Sequence, residues 1–546
     1  MGRCGRMSPH RCLQTARIIA VPLLLAAVAA ACSSDSSGPA SPAASPGASP
    51  LPEATLAPVD AVRLAERATF YGRDAGDSAM GLALGDFNGD GVTDLALSAA
   101  FADGPRNGRE DAGEVLLFFG PLDPGESRDA AAGRQDVLVF GADEGDQFGR
   151  ASAAGDVNGD GIDDLLVGAP AADSLDNNRP DAGEAYVLFG RASWPEQIDV
   201  RSDKDAVIIW GADAGDYAGF TLITADPNSD GIRDLVVGAF LADGPGNARP
   251  DAGEAYLFFG GASWPESVDL AQGGQDAVFQ GAEELDRLTE MMGAGDVNGD
   301  GVDDLILPAN FASGPDNARV NAGEDYVILG GSLEPAYDMA QGQYDFAVLG
   351  PDPGDQLGHS LATGDFDGDG IDDMLLGAVS ADGPGNERDL AGEFYLVPGN
   401  ASPAAVLDTL HGAATLLVYG QNEVDRLGRS AAMGDLNGDG LADLVMAATG
   451  GDGEDESTQD SGELRVIFGR AGLRGLLDLA RQPPDVTVYG LDADDVLGLG
   501  GLARLALLTS DIDGDGLDDV IVSARGDGPR NDRLDAGDAY ILFARP

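Results

Sequence analysis

Basic residues other than arginine are almost missing from this sequence, and histidine is scarce. Lys204 is the single lysine, and the chain carries 32 Lys and Arg against 94 Asp and Glu, which gives a formal net charge of −62. A surface this acidic repels nucleic acid and anionic lipid headgroups, so neither is expected as a partner. Beyond the first ten residues the only histidines are His359 and His411, and neither has a placed partner for a hydrolytic triad or a catalytic zinc site.

Cysteine is equally scarce and is confined to the start of the chain. Cys4 and Cys12 lie in a segment with the features of an export signal, because scattered arginines precede an apolar run from Ile18 to Ala31 that is too short to cross a bilayer as a helix. Removal of this segment leaves Cys32 alone, so no intramolecular disulfide is expected. The predicted organisation is a signal peptide over 1–31, a flexible Ser/Pro/Ala-rich tether over 32–58, and a repeat domain over 59–546.

The sequence is rich in one acidic loop, which it repeats seven times. In the segment GDVNGDGIDDLLVGAP, Asp156, Asn158, Asp160 and Asp164 occupy positions 1, 3, 5 and 9 of the loop, and Ile162 occupies position 7. The position-1 aspartate recurs at intervals of 69 to 76 residues, at Asp86, Asp156, Asp226, Asp296, Asp365, Asp435 and Asp511. A period this regular is the signature of a repeat architecture.

The spacing of oxygen-bearing groups in this loop suits a calcium ion. Ca²⁺ takes roughly six to eight oxygen ligands, which the side chains at positions 1, 3, 5 and 9 and the backbone carbonyl at position 7 can supply. Glycines at positions 4 and 6 permit the positive φ angles needed to curl the chain around an ion. An EF-hand shares the opening of the loop but requires Glu at position 12, where this repeat has Val167.

We therefore expect up to seven bound Ca²⁺ ions, one in each loop. The predicted ligands are Asp86, Asn88, Asp90, Val92 and Asp94; Asp156, Asn158, Asp160, Ile162 and Asp164; Asp226, Asn228, Asp230, Ile232 and Asp234; Asp296, Asn298, Asp300, Val302 and Asp304; Asp365, Asp367, Asp369, Ile371 and Asp373; Asp435, Asn437, Asp439, Leu441 and Asp443; and Asp511, Asp513, Asp515, Leu517 and Asp519. The third loop is expected to be the weakest, because Pro227 stands at position 2 and Ser229 replaces glycine at position 4.

Each period also contains four short runs rich in β-branched and aromatic residues, separated by Gly, Asp, Asn and Pro. The runs are too short for helices and have the composition of strands. Tandem units of this kind predict an all-β fold, a seven-bladed β-propeller with four-stranded antiparallel blades. The first run ends at Gly72 and matches a fourth strand, whereas the last run, DAYILFA, matches a third strand. The N-terminal strand is therefore expected to pair with the C-terminal blade and close the ring.

The residues around the second loop carry a family resemblance. Phe148-Gly149 and Gly168-Ala169-Pro170 spell FG and GAP on either side of the loop. From about residue 59 to 546 the chain resembles the FG-GAP repeats of integrin α-subunit propellers and of many bacterial surface proteins. The resemblance implies calcium loops on one face, joining strands 1 and 2, and ligand binding on the opposite face. The 4–1 and 2–3 loops build that opposite face, and they include the segments 141–149 and 171–183.

The sequence AAAC that ends at Cys32 resembles a bacterial lipoprotein signal. This resemblance implies that Cys32 is lipidated, and an ordinary cleaved secretory signal is the alternative. We expect a monomer in the bacterial cell envelope, periplasmic or at the cell surface, that touches the membrane only through its lipid, or else a secreted protein.

The predicted function is a calcium-stabilised binding or adhesion module for a protein or glycan ligand. It is not expected to be an enzyme, because no group of catalytic residues stands out from the repeat. The alternatives are a hydrolase or lyase that uses carboxylates of the opposite face, and a structural component of a surface complex. The repeat is broken once, by six additional residues between Gly490 and Asp511, which form either a longer strand or a specificity loop.

Overall fold

The repeated apolar runs form the strands of seven small sheets. The computed structural model describes residues 51–56, 64 and 66–545, apart from 175–176, 205, 455–456, 491 and 500–505. The sheets are the blades of a seven-bladed, all-β propeller, as predicted. The predicted signal peptide, Cys32 and part of the 490–511 segment lie outside the described residues.

Each blade is numbered here after the acidic loop that it contains, and its antiparallel strands are numbered from 1 to 4. Strand 1 of blades 1 to 7 spans Ala79–Gly85, Ala151–Gly155, Thr221–Ala225, Gly293–Gly295, Leu357–Gly364, Leu427–Gly434 and Leu507–Ser510. Strand 2 spans Asp94–Ala99, Asp164–Ala169, Asp234–Ala239, Asp304–Ala309, Asp373–Ala378, Asp443–Ala448 and Asp519–Ala524. Strand 3 spans Glu114–Phe118, Glu184–Leu188, Glu254–Phe258, Glu324–Ile328, Glu393–Val397, Glu463–Ile467 and Asp538–Phe543. Strand 4 spans Val137–Phe140, Val207–Trp210, Ala277–Gln280, Phe346–Leu349, Leu416–Tyr419, Val486–Tyr489 and, in blade 7, Glu66–Tyr71.

In addition to the four predicted antiparallel strands, six blades carry a fifth strand that the sequence did not predict. Each fifth strand comes from the 3–4 connection of the following unit and pairs in parallel with strand 4. On blades 1 to 5 and 7 these strands span Gln197–Asp199, Ser267–Asp269, Ala336–Asp338, Val406–Asp408, Gly475–Asp478 and Ser127–Asp129. Three or four residues within a long connection are too short to give an alternating pattern that sequence analysis can detect.

Three-residue 3-10 helices lie in two kinds of connection. In the 2–3 loops they span Pro105–Asn107, Pro315–Asn317, Pro384–Asn386 and Pro529–Asn531. After fifth strands they span Ala130–Ala132, Leu270–Gln272, Met339–Gln341 and Thr409–His411. No helix in the described part of the chain is long and apolar enough to cross a bilayer.

The hydrophobic core lies between neighbouring blades. Strand 2 is buried along its whole length, as in Asp164–Ala169, because a neighbouring blade covers each of its faces. Val115 and Leu117 of blade 1 pack in one cluster with Leu165 and Val167 of blade 2. Burial on both faces explains why these runs are continuously apolar rather than alternating.

The two ends of the propeller pair as the sequence predicted. Glu66–Tyr71 is antiparallel to Asp538–Phe543, with Phe70 opposite Ala539 and Thr69 opposite Tyr540. Strand 4 of blade 7 therefore comes from the N-terminal side of the chain and strands 1 to 3 from the C-terminal side, which closes the ring.

Residues 51–56, which were predicted to belong to the flexible tether, contact blade 5. The amide of Ala54 donates to the carbonyl of Leu476 at 2.7 Å, and the amide of Leu476 donates to the carbonyl of Pro52 at 2.8 Å. This segment lies beside the fifth strand of blade 5, and Ala54 is buried in the adjacent core cluster.

Candidate metal loops and the opposite face

Antiparallel strands place all seven acidic loops, which join strands 1 and 2, on one face of the propeller. In every loop the position-1 carboxylate accepts the amides of positions 5 and 6, as Asp86 does from Asp90 at 3.0 Å and Gly91 at 2.8 Å. The position-5 carboxylate accepts the amide of position 7, as Asp90 does from Val92 at 2.9 Å. These bonds recur with position-1 Asp156, Asp226, Asp296, Asp365, Asp435 and Asp511. These bonds hold the position-1 and position-5 carboxylates against the backbone of their own loop in all seven loops.

The position-9 aspartate also has a role that the sequence did not reveal. Asp94 is fully buried, and its Oδ1 accepts the amide of Gly120 at the end of strand 3, at 2.8 Å. The same bond recurs at Asp164, Asp234, Asp304, Asp373, Asp443 and Asp519. Because position 9 is the first residue of strand 2, this carboxylate anchors the acidic loop to the sheet.

Burial perturbs the titration of these same carboxyls. Burial raises the pKa of Asp94 to about 7, and the charges of Asp90 and Asp86 act in the same direction. Burial likewise raises the pKa of the other six position-9 aspartates to about 7. A buried carboxylate among like charges is costly, and a cation beside it would remove that cost.

The donor atoms fit a hard cation. Carboxylate oxygens of Asp365, Asp367 and Asp373 lie within 4.8 Å of one another, as do those of Asp511, Asp513 and Asp515. Oδ1 of Asp367 is buried and has no hydrogen-bond partner, which is the arrangement expected of an atom that faces a cation. These are the two loops in which Asp occupies position 3, and the other five offer an Asn amide oxygen there.

The third loop departs from the common geometry at positions 2 and 4, where its sequence differs from that of the other loops. Pro227 has no amide to donate to Asp234, whereas in loop 1 the amide of Phe87 donates to Oδ2 of Asp94 at 3.0 Å. Ser229 adopts φ = 57°, a left-handed conformation that glycine occupies in the other loops, as Gly159 does at 75°. Both features raise the free energy of the loop conformation.

In loop 7, the guanidinium group of an arginine contacts the acidic side chains. Nη2 of Arg545 donates to Asp513 at 2.6 Å, and Nη1 donates to Asp515 at 2.7 Å. These two aspartates occupy positions 3 and 5, so a side chain that follows strand 3 of blade 7 contacts two predicted calcium ligands.

On the opposite face, six arginines of the 2–3 loops each join three parts of one blade. Arg319 donates to Asp408 in the fifth strand at 3.0 and 2.9 Å and to the carbonyl of Gly350, at the end of strand 4, at 2.5 Å. Equivalent ion pairs join Arg109 to Asp199, Arg179 to Asp269, Arg249 to Asp338, Arg388 to Asp478 and Arg533 to Asp129. Blade 6 has Thr458 in place of this arginine. Recurrence of Arg and Asp at the period of the loops was the signal that could have predicted these pairs.

Buried carboxyls also repeat on this face, at the loops between strand 4 and the next strand 1. Asp146, in the predicted segment 141–149, accepts the amide of Asp143 at 3.0 Å, and burial and the charge of Glu184 raise its pKa to about 7. Burial raises the pKa of Asp77, Asp216 and Asp286 to about 7 and that of Asp355 to about 9. Since they occur at corresponding positions in successive units, these aspartates belong to the repeating scaffold.

Two other positions of each unit lie on the opposite face, one in a 4–1 loop and one in a 2–3 loop. The backbone bond between them recurs from unit to unit, whereas their side chains differ. The amide of Gly145 donates to the carbonyl of Glu110 at 2.9 Å, joining a 4–1 loop to a 2–3 loop. The same bond joins Gly215 to Pro180, Leu285 to Pro250, Gly354 to Val320, Val424 to Asp389, Asp494 to Gln459 and Gly76 to Leu534. Four of these residues are large, apolar and exposed, namely Leu534 (67%), Val320 (59%), Leu285 (52%) and Val424 (44%).

Comparison with known proteins agrees with the geometry. The FG-GAP repeat model matches residues 78–118, 148–188 and 427–467. The phosphatidylinositol-glycan-specific phospholipases D of Dictyostelium discoideum and Bos taurus are 25% and 27% identical to this chain, over 66% and 71% of its length. The alignments cover 38% and 43% of those proteins, so the chain spans less than half of their length.

Integrin α-subunits are also similar to this chain. Integrin alpha pat-2 of Caenorhabditis briggsae is 27% identical over 43% of this chain and 18% of its own length. Integrin alpha-PS2 of Drosophila melanogaster is 26% identical over 43% of this chain and 15% of its own length. The chain therefore carries FG-GAP repeats on a seven-bladed propeller and is homologous to integrin α-subunits.

Proposed function

We propose that this protein is a calcium-stabilised, extracytoplasmic binding module, which recognises a protein or glycan ligand through the face opposite its seven acidic loops. The observation that carries the proposal is the contrast between the two faces. The loop face repeats the same carboxylates seven times, as a metal-holding scaffold would. On the opposite face, the positions joined by the bond from Gly145 to Glu110 and its equivalents repeat their backbone geometry but vary their side chains.

The exposed apolar residues of the variable positions are the most direct candidates for ligand contact. Leu285, Val320, Val424 and Leu534 expose 44% to 67% of their surface in a chain of net charge −62. Each of these side chains could bury apolar surface against a ligand, which is favourable. Homology to the integrin α-subunits supports recognition on this propeller, and export with lipidation at Cys32 would place it at the cell envelope.

A glycan and protein array probed with the purified chain tests this assignment. Ligand binding should fall by at least tenfold in the double variant Val320→Ser/Leu534→Ser, whose two sites lie in 2–3 loops. The matched control is Phe259→Ser, since Phe259 is 37% exposed and follows strand 3 on the acidic-loop face. Binding that falls in the control and persists in the double variant would place the ligand on the wrong face for this proposal.

An enzymatic role is the second candidate, because relatives of this chain are named as phospholipases D. Burial raises the pKa of Asp355 to about 9 and that of Glu393 to about 7, so this pair of carboxyls could hold a proton near neutral pH. Turnover of a ligand found on the array, abolished by Asp355→Asn and retained in Asp77→Asn, would favour the enzyme over the binding module.

A further inference from the structure

Neighbouring acidic loops are joined by a carboxylate that is not among the predicted calcium ligands. Position 8 of loop 2 is Asp163, whose Oδ2 accepts the backbone amide of Asp86, the position-1 residue of loop 1, at 2.8 Å. The same bond joins loop 3 to loop 4, from Asp226 to Asp303 at 2.8 Å. It joins loop 4 to loop 5, from Asp296 to Asp372 at 3.1 Å, and loop 6 to loop 7, from Asp435 to Asp518 at 2.8 Å.

At three of the junctions between neighbouring acidic loops, this carboxylate is absent because position 8 is not an acid. Position 8 is Arg233 in loop 3, Ala442 in loop 6 and Thr93 in loop 1. Loops 2 and 3, loops 5 and 6, and loops 7 and 1 are therefore not joined through a position-8 carboxylate. The seven loops fall into three groups, which comprise loops 1 and 2, loops 3 to 5, and loops 6 and 7.

We propose that calcium binding is cooperative within each of these groups and independent between them. This inference rests on the proposal that the loops bind calcium. Asp163 stands between the position-7 carbonyl and the position-9 carboxylate of loop 2, and it holds the backbone of the residue that supplies the position-1 ligand of loop 1. An ion that fixes positions 7 to 9 of loop 2 therefore fixes Asp86 as well, which lowers the ordering cost of binding in loop 1.

The junction between loops 2 and 3 provides a natural control. It retains a backbone bond from Arg233 to Asp156 at 3.1 Å, matching the bond from Asp163 to Asp86 at 3.1 Å. It also retains the packing of the position-7 side chain on the preceding loop, since Ile232 lies against Gly159 as Ile162 lies against Gly89. The two junctions differ in the position-8 carboxylate.

Two of the three tryptophans can report on individual loops. Nε1 of Trp194 donates to the carbonyl of Phe87, at position 2 of loop 1, at 2.8 Å. Nε1 of Trp264 donates to the carbonyl of Val157, at position 2 of loop 2, at 3.0 Å. A chain with Trp210→Phe and Trp264→Phe keeps only the loop 1 reporter, and a chain with Trp194→Phe and Trp210→Phe keeps only the loop 2 reporter.

The experiment is a calcium titration of both reporters, followed by fluorescence. In the loop 1 reporter, disabling loop 2 with Asp160→Ala should raise the calcium midpoint at least fivefold, the lower end of common coupling strengths. Asp163→Ala should raise the midpoint and abolish the effect of Asp160→Ala, while Asp163→Asn, which keeps an oxygen acceptor, should preserve part of it. In the loop 2 reporter, disabling loop 3 with Asp230→Ala should leave the midpoint unchanged.

The possible outcomes separate this inference from the calcium proposal. A Trp194 signal that never responds to calcium would contradict calcium binding itself. A Trp194 response whose calcium midpoint is unchanged by Asp160→Ala would overturn the coupling. Equal shifts of the calcium midpoint at the junction of loops 1 and 2 and at the junction of loops 2 and 3 would show that the backbone bonds provide the coupling. That result would overturn the role of the carboxylate.

Discussion

Oδ1 of Asp408 accepts a hydrogen bond from Nη1 of Arg319 at 3.0 Å, although 89 residues separate the two along the chain. Asp408 lies in the fifth strand of blade 4 and Arg319 in the 2–3 loop of the same blade. The pair holds a strand that belongs to the next unit, so each such arginine joins consecutive repeats. Both side chains are largely buried, at 14% and 21% exposure.

Arg319→Ala should therefore lower the free energy of unfolding by about 1–3 kcal/mol, because it removes the cation paired with the largely buried Asp408 and the donor to the carbonyl of Gly350. Chemical denaturation measures this change. Arg106→Ala, an exposed arginine in a 2–3 loop of the same face, is the matched control and should shift stability by less than about 0.5 kcal/mol. Equal effects of the two substitutions would argue against the arginine as a stabilising contact.

Ring closure predicts that truncations at the N-terminus have unequal effects. A chain that begins at residue 73 lacks strand 4 of blade 7 and exposes the edge of Asp538–Phe543, so it should melt well below the full chain and associate through that edge. A chain that begins at residue 51 keeps this strand and should melt with the full chain. Differential scanning calorimetry decides the matter, and indistinguishable melts for the two truncations would be inconsistent with closure by this strand.

The buried position-9 carboxyls predict an unusual pH dependence for the calcium-free protein. Their pKa is raised from 3.8 to about 7, so the folded state binds more protons than the unfolded state between these values. The contribution of these groups to stability is then fully present below about pH 4 and is lost as the pH rises through about 7. We expect the chelated protein to melt at a higher temperature at pH 5 than at pH 8, and saturating calcium to reverse this order because metal ligands must be deprotonated.

Loop 3 should bind calcium most weakly, because Pro227 cannot donate an amide to Asp234 and Ser229 holds a positive φ angle. Restoring the common residues with Pro227→Val and Ser229→Gly should increase the affinity of this loop by about tenfold, given about 1 kcal/mol or more for the relieved conformation. Equilibrium dialysis at falling calcium concentration should show the variant retaining one ion that the native chain loses first. Loss of the first ion at the same concentration in both chains would show that another loop is the weakest.

The sequence was sufficient to predict the number of blades and the closure of the ring, because both follow from counting repeats. It failed for contacts between repeats. The fifth strands are three or four residues long, and their aspartates, such as Asp199 and Asp269, resemble ordinary loop acids until their arginines are placed beside them. The anchoring bond from Gly120 to Asp94 joins residues 26 positions apart, and only the register of strands 2 and 3 brings them together.

The two faces differed in how much the sequence could predict about them. Asp156, Asn158 and Asp160 lie in a single short loop, so their spacing alone was enough to identify them as candidate ligands of one ion. The variable positions of the opposite face come from different loops, as Leu285 and Pro250 do, and their pairing became visible only when the backbone bonds were known. The bond from Asp86 to Asp163 was missed for the same reason, since position 8 is not among the predicted ligands of its own loop.

The melting temperature measured with and without calcium tests the central claim most directly. If an ion occupies each loop, a calcium concentration ten times the dissociation constant of a site adds about 1.4 kcal/mol of stability through that site. Several such sites together should raise the melting temperature by many degrees. We predict that chelation at pH 7.5 lowers the melting temperature by at least 10 °C and that millimolar calcium, but not magnesium, restores it. An identical melt in excess chelator and in millimolar calcium would contradict the assignment of the seven loops as calcium sites.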